Sequence, residues 1–197
     1  MVRWQAVHQR QRQLSGLSFA GAAERLGAKS RNAYARTEIT GCCLEGIVIE
    51  INGMAHIILA VSEWDQCREF YEALLPFLGL KRAFSGQDSI YYVGGRTAVG
   101  VGRCDERYAA DRFVQNSVGL HHACFRARSR EDVDKVYAFL QDRKAKIVHP
   151  PEEGPWAPGY YSVLFEDPAG TRLEANYVPG KGIFAEGVNF NPAGDYQ

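Results

Sequence analysis

Gly53-Met54-Ala55-His56-Ile57-Ile58-Leu59 and Gly119-Leu120-His121-His122-Ala123-Cys124-Phe125 are two versions of one pattern, 66 positions apart (residue 53 against residue 119). The same shift lays Tyr71 over Tyr137 and Leu74 over Leu140. Self-similarity at a fixed period marks a duplicated supersecondary unit, so the repeat sets the architecture before any single element is assigned.

Each copy opens with an apolar strand and meets a polar break, Ser62-Glu63 or Ser129-Arg130. A helix follows. In the first, Cys67, Phe70, Tyr71, Leu74, Leu75 and Leu78 recur at three- and four-residue steps, and in the second Val133, Val136, Tyr137 and Leu140 do the same. Short strands are expected next at 80–84, 89–93 and 97–103, then at 146–149, 160–165 and 172–178, separated by turn chemistry such as Gly94-Gly95 and Asp167-Pro168-Ala169-Gly170. Two βαβββ modules (53–103 and 119–178) within a domain over 51–180 make an α+β fold: a cup-shaped mixed sheet with the helices on its outer face.

Side chains alternate along a strand, so the phase of the apolar residues tells which neighbours look into the cup. Ile57, Leu59 and Val61 face the first helix, which turns His56 inward. Ala123, Phe125 and Ala127 face the second helix; His122, Cys124 and Arg126 then share the open face, and His121 points away. In the last strand Leu173, Ala175 and Tyr177 are the apolar set, with Glu174 and Asn176 opposite. Two imidazoles and a carboxylate suit a borderline divalent ion, Fe(II), Mn(II), Zn(II) or Ni(II), and three ligands leave coordination positions for a substrate. Taken singly, His56 is an ordinary strand-start histidine and Glu174 an exposed strand carboxylate; their coincidence in phase and repeat position joins them to His122 as a metal site.

The strand His56-Ile57-Ile58-Leu59-Ala60-Val61 followed by Arg68-Glu69-Phe70-Tyr71, the GLHHACF stretch at 119–125, and Phe165-Glu166-Asp167-Pro168-Ala169-Gly170-Thr171-Arg172-Leu173-Glu174 resemble the vicinal-oxygen-chelate superfamily of glyoxalases, bleomycin-resistance proteins and extradiol dioxygenases. The resemblance spans about 53–180. It implies metal ligation by His56, His122 and Glu174 and a small oxygenated metabolite chelated through vicinal oxygens, the reaction being of lyase or dioxygenase type. Glyoxalase I would need a fourth ligand near Val99 or Gly100, yet 89–102 holds no Asp, Glu or His. Three ligands instead resemble the facial triad of non-haem iron dioxygenases.

Catalytic candidates are His149, Tyr160 and Tyr161; strand phase leaves open which of the two tyrosines reaches the cup. Tyr91, Tyr92, Arg126 and Trp156 are candidate substrate-binding residues, and 150–159, rich in proline and glycine, is expected to form a rim or lid. A metal-free binding protein of the drug-sequestering kind is the alternative. A homodimer is expected, and the connection 104–118 is long enough for the modules to pair within one chain or exchange between two.

Outside the repeat, residues 1–40 carry seven Lys/Arg against two acids, and the remainder 16 against 21. The segment 17–36 resembles a helix-turn-helix in part, so DNA is the partner under a third reading; a disordered basic extension over 1–50 competes with it, since Gly16, Gly21 and Gly27 disfavour helix. Residues 181–197 are read as a tail. Five cysteines without a CxxC spacing indicate reduced thiols. The longest apolar run, 47–61, is interrupted by Glu50, Asn52 and His56, and the N-terminus lacks a signal-peptide core, so a cytoplasmic protein with no membrane span is expected.

Overall fold

A computed structural model describes residues 51, 53–184 and 186–188. Both readings of residues 1–50 and most of the tail therefore lie outside the described residues. Module one contains β1 (His56–Val61), α1 (Trp64–Phe77), β2 (Lys81–Ser85), β3 (Ser89–Gly94) and β4 (Thr97–Arg103). Module two contains β5 (Ala123–Arg126), α2 (Arg130–Asp142), β6 (Lys146–Glu153), β7 (Tyr161–Glu166) and β8 (Arg172–Tyr177). The strand orders, β1-β4-β3-β2 and β5-β8-β7-β6, are identical in kind, with the first strand of each module parallel to its neighbour and the other pairs antiparallel. The α+β βαβββ pair expected from the repeat is thus present. Among the described residues eight strands form two four-stranded sheets rather than one continuous sheet, with β1 and β5 as edges.

The repeat extends to the helix ends. Both helices close with the same pair of backbone bonds: Leu80 N–H to Leu75 O and Gly79 N–H to Pro76 O in α1, Ala145 N–H to Leu140 O and Lys144 N–H to Gln141 O in α2. This closure needs a left-handed residue after the cap. Gly79 supplies it at no steric cost, whereas Lys144 adopts φ 53° with a Cβ in place. At the other end Ser129 accepts from Asp132 N–H at 3.2 Å and caps α2, while Glu63 gives α1 no side-chain cap.

The strand phase is as the sequence indicates. Leu59 and Val61 are buried beneath α1 while His56, Ile58 and Ala60 are exposed, and Leu173 and Ala175 are buried beneath α2. Burial of these apolar faces, at about 25 cal/mol per Å² removed from water, is the main stabilising contribution. β6 runs longer than expected, through Pro150-Pro151 to Glu153. Prolines fit there because β6 is an edge strand whose register slips between Ile147 and His149 and again between His149 and Glu152. The expected rim at 150–159 is therefore strand in its first part. Its remainder is a tight turn closed by Gly154 N–H to Tyr160 O at 3.1 Å and Tyr160 N–H to Ala157 O at 3.0 Å.

The modules meet through their helices and one buried polar contact. Phe77 stacks on Phe139 with centroids 4.1 Å apart, and Tyr71 of α1 donates its hydroxyl to Asp167 Oδ2 at 2.8 Å. Asp167, 3% exposed, also accepts from Thr171 N–H at 2.7 Å and so shapes the Asp167-Pro168-Ala169-Gly170 turn that starts β8. Burial raises its carboxyl above the usual range, against the pull of its hydrogen bonds from Tyr71 and Thr171.

Tyr71→Phe removes a donor from a buried carboxylate and should cost about 1–3 kcal/mol in a denaturant-midpoint comparison. The folded chain takes up the Asp167 proton before the unfolded chain does, and the variant raises that folded value further, since Tyr71 bonds the ionised form. The deficit should therefore be largest at higher pH and shrink as acid protonates Asp167; a deficit that grows in acid would contradict the assignment.

Candidate metal centre

Glu174 lies on the open face of β8, the strand between β5 and β7, yet it is only 1% exposed. An ionised carboxylate in that position must be compensated. Tyr160 donates its hydroxyl to Oε1 at 2.5 Å, Asn176 Nδ2 donates to the same phenol oxygen at 3.0 Å, and His122 Nε2 stands 3.3 Å from Oε2. Burial opposes ionisation, but hydrogen bonds from His122, Tyr160 and Ser162 outweigh it and hold the carboxyl below the usual range. A carboxylate is thus available as a ligand.

His122 immediately precedes β5 and is oriented from behind. Its Nδ1 lies 2.8 Å from His121 Nδ1, and Gln115 Nε2 lies 3.0 Å from His121 Nε2. With Nδ1 engaged, Nε2 is the nitrogen presented to Glu174. Desolvation chiefly, with the nearby charges of His122 and Arg172, lowers the affinity of His121 for a second proton. The alternation rule sets His121 aside, but that rule holds inside a strand and β5 starts only at Ala123.

The His122–Glu174 contact is that of a hydrogen-bonded ion pair, and its length is also compatible with two donors sharing one ion in place of the proton. Two ligand atoms about 2.1 Å from one ion, at tetrahedral to octahedral angles, are about 3.0–3.4 Å apart, and the observed separation is 3.3 Å. Cys124, paired with Glu174 in register, shares this face, and desolvation first and the Glu174 charge second push its thiol well above the usual range. His56 stands exposed at the start of edge strand β1. Among the described residues no three His, Cys, Asp or Glu side chains are grouped to hold an ion, so a single chain brings together His122 and Glu174 but not His56.

A model of the Glyoxalase/Bleomycin resistance protein/Dioxygenase superfamily matches residues 53–175. The chain belongs to that superfamily. It is 28% identical over 123 residues to the uncharacterized protein YqjT of Bacillus subtilis, a match that covers 61% of this chain and 95% of the relative. Among solved structures, a protein from Bacillus halodurans named as a candidate glyoxalase superposes with TM-score 0.57 at 27% identity, covering 64% of this chain and 96% of its own. A glyoxylase/bleomycin resistance protein/dioxygenase domain from Frankia sp. EAN1pec gives TM-score 0.53 at 22% identity, over 65% and 98% of the two chains, and is similar in fold.

The other sequence candidates fall in different places. Tyr160 is the tyrosine at the site. Tyr161 points to the opposite side, donating to Asp134 Oδ1 at 2.8 Å with Arg130 over its ring at 4.1 Å. His149 pairs with Leu164, which pairs with Glu174, so it shares the open face two strands away; its Nδ1 is 3.5 Å from Glu152. Trp156 packs edge-on against Tyr160 at 5.0 Å and covers Gly154, where a Cβ would come within 2.1 Å of the indole. In module one Tyr92 is 2% exposed in the core, contrary to a substrate-binding role, while Tyr91 crosses Gly100 beside Ile58 on the open face. Of the two places near which a fourth ligand would stand, Val99 is buried in the core and Gly100 lies under an aromatic ring. Arg126 donates to Val178 O at 3.2 Å. Missed altogether were Gln115 and Ser162. Asn176 shares the phase of Glu174 and was legible to that extent.

Tyr160→Phe strips the phenol from a carboxylate that cannot reach water and should lower stability by about 1–3 kcal/mol in urea. Tyr161→Phe acts on a solvated contact and should stay within about 0.5 kcal/mol. Equal losses from the two variants would contradict the assignment of Tyr160 to the site.

Proposed function

We propose that the chain is a divalent-metal-dependent enzyme of its superfamily, of glyoxalase-like lyase or dioxygenase type, acting on a small oxygenated metabolite as a homodimer. His122 and Glu174 of one chain hold two corners of the ion, and His56 comes from the second copy. The observation that carries the reading is the 3.3 Å spacing of His122 Nε2 and Glu174 Oε2. Two features support the second copy: among the described residues β1 and β5 are edge strands, and His56 and Ile58 are exposed on the same face of β1, Ile58 to 63%. Such an apolar edge is a template for pairing, and an isologous dimer would present each β1 to the other chain's β5. The family tie supports a metal, with Fe(II), Mn(II), Zn(II) and Ni(II) all compatible with this nitrogen and oxygen donor set.

When bound, the ion supplies Lewis-acid stabilisation of negative charge developing on substrate oxygens. The protein's own groups do the rest. Tyr160 and Asn176 hold Glu174 ionised and fixed; His121 and Gln115 fix the His122 ring; Trp156 shields the Tyr160 side from water. Proton uptake from substrate falls in this reading to His149, which is on the same face and half exposed. Tyr91 and Arg126 border the open faces of the two sheets and serve orientation.

A second reading, a metal-free binding protein, draws on the absence of a three-donor group within one chain among the described residues. Elemental analysis of the purified full chain separates the two. The wild type should retain a divalent ion through gel filtration, and His122→Ala and His56→Ala should each lose it, the latter although His56 forms no donor group with His122 and Glu174 in its own chain. Equal metal content in wild type and His122→Ala would overturn the enzymatic reading.

A further inference from the structure

Three cations gather on the open face of module two, one row along from Glu174, and the mechanism above uses none of them. Register sets Lys146, Glu166 and Arg172 side by side across β6, β7 and β8, as it sets His149, Leu164 and Glu174 in a neighbouring row. Residues paired in register share a face, so both rows belong to the open side, and two residues along β8 span about 6.6 Å. Linker residues Arg112, Phe113 and Gln115, with Gly170 of the turn before β8, close the end of this row around a cavity of about 250 Å³.

The charge around the cavity does not balance. Lys146 Nζ lies 2.9 Å from Glu166 Oε2 and Arg172 Nε 3.2 Å from Glu166 Oε1, so one carboxylate serves two cations. Arg112 lies across Gly170 and gives Nη2 to Pro168 O at 2.9 Å, an uncharged partner. Three positive groups against one negative leave an excess of two positive charges. Arg172, only 15% exposed, also has a buried Nη1 without a hydrogen-bond partner among the described residues. A row of ion pairs that merely tied three strands together would need neither the cavity nor the surplus cations, and a buried unpaired guanidinium N–H is costly to maintain. Planar forks of this kind suit oxyanions. Gln115 belongs both to the cavity wall and to the hydrogen-bonded chain behind His122, so the cavity adjoins the metal site.

We propose that this cavity is an oxyanion subsite, which receives a carboxylate or phosphate group of the substrate while that molecule's other oxygens lie toward the ion that His122 and Glu174 would hold. The identification of its occupant as substrate rests on the enzymatic reading; the anion site itself does not. The substrate class is thereby narrowed to small anionic metabolites.

The test titrates the chelator-treated full chain with inorganic phosphate and, separately, with acetate, at an ionic strength held constant by chloride. Backbone and side-chain amide NMR signals of Gln115, Gly170 and Arg172 report binding. Saturable shifts confined to these residues are expected, with affinity weakened about tenfold or more in Arg112→Met and in Lys146→Met. Arg82→Met on β2 should leave affinity unchanged, and the tighter of the two anions identifies the group. Absence of saturation, or equal weakening by Arg82→Met, overturns the proposal. His122→Ala, assayed for both metal and anion, keeps the two ideas apart: it should lose the ion and still bind the anion.

Discussion

The centre of the open face of module two is arranged around the buried carboxylate of Glu174. Glu174 sits on an inner strand, hydrogen-bonded on both sides by backbone, so its carboxylate cannot swing to solvent and must be met where it stands. Tyr160, Ser162 and His122 meet it, and Asn176 donates to the Tyr160 hydroxyl from behind. Those contacts explain why the turn at 154–160 is so tightly closed and why Gly154 lies under Trp156: the loop delivers a phenol to a fixed oxygen. They also keep the group ionised, the state in which it can act as a ligand.

The position of β8 depends in turn on the other module. Its strand begins at the Asp167-Pro168-Ala169-Gly170 turn, and that turn is pinned by the Tyr71 hydroxyl of α1, by Arg112 on Pro168 O and by Phe113 N–H on Ala169 O. Helix, linker and strand are thus coupled through one buried aspartate. A duplicated fold has separated its duties here. The second module carries the histidine–carboxylate pair, while the equivalent face of the first carries His56 and, beneath Tyr91, Gly100.

Much of this was legible in the sequence, for a physical reason. Period-two alternation and period-3.6 helix stripes are local consequences of backbone geometry, so Ile57, Leu59, Leu173 and Ala175 identified the core faces and, by exclusion, placed Glu174 opposite. The limits were equally physical. Tyr160 and His121 each lie just outside a strand, where alternation no longer governs direction, and the choice between Tyr160 and Tyr161 needed the turn geometry. Pro150-Pro151 marked a break in pattern, but an edge strand with bulges absorbs prolines that a central strand would not. Tyr92 was read as a cavity residue because an aromatic on a strand serves core and cavity equally well. The distance between His56 and the other two donors is a tertiary, and by the present proposal quaternary, quantity that no local pattern encodes.

The proposed metal site depends on a third ligand arriving from another copy of the chain. Mixing His56→Ala chains with Glu174→Ala chains, after dissociation and reassociation, tests this directly by metal binding. Neither variant alone should hold the ion. Random pairing should restore one intact site in each mixed dimer, about a quarter of the wild-type metal content overall. Recovery to that level is the predicted result; a mixture that binds no more metal than its separate components, while the wild type binds it tightly, would contradict the account.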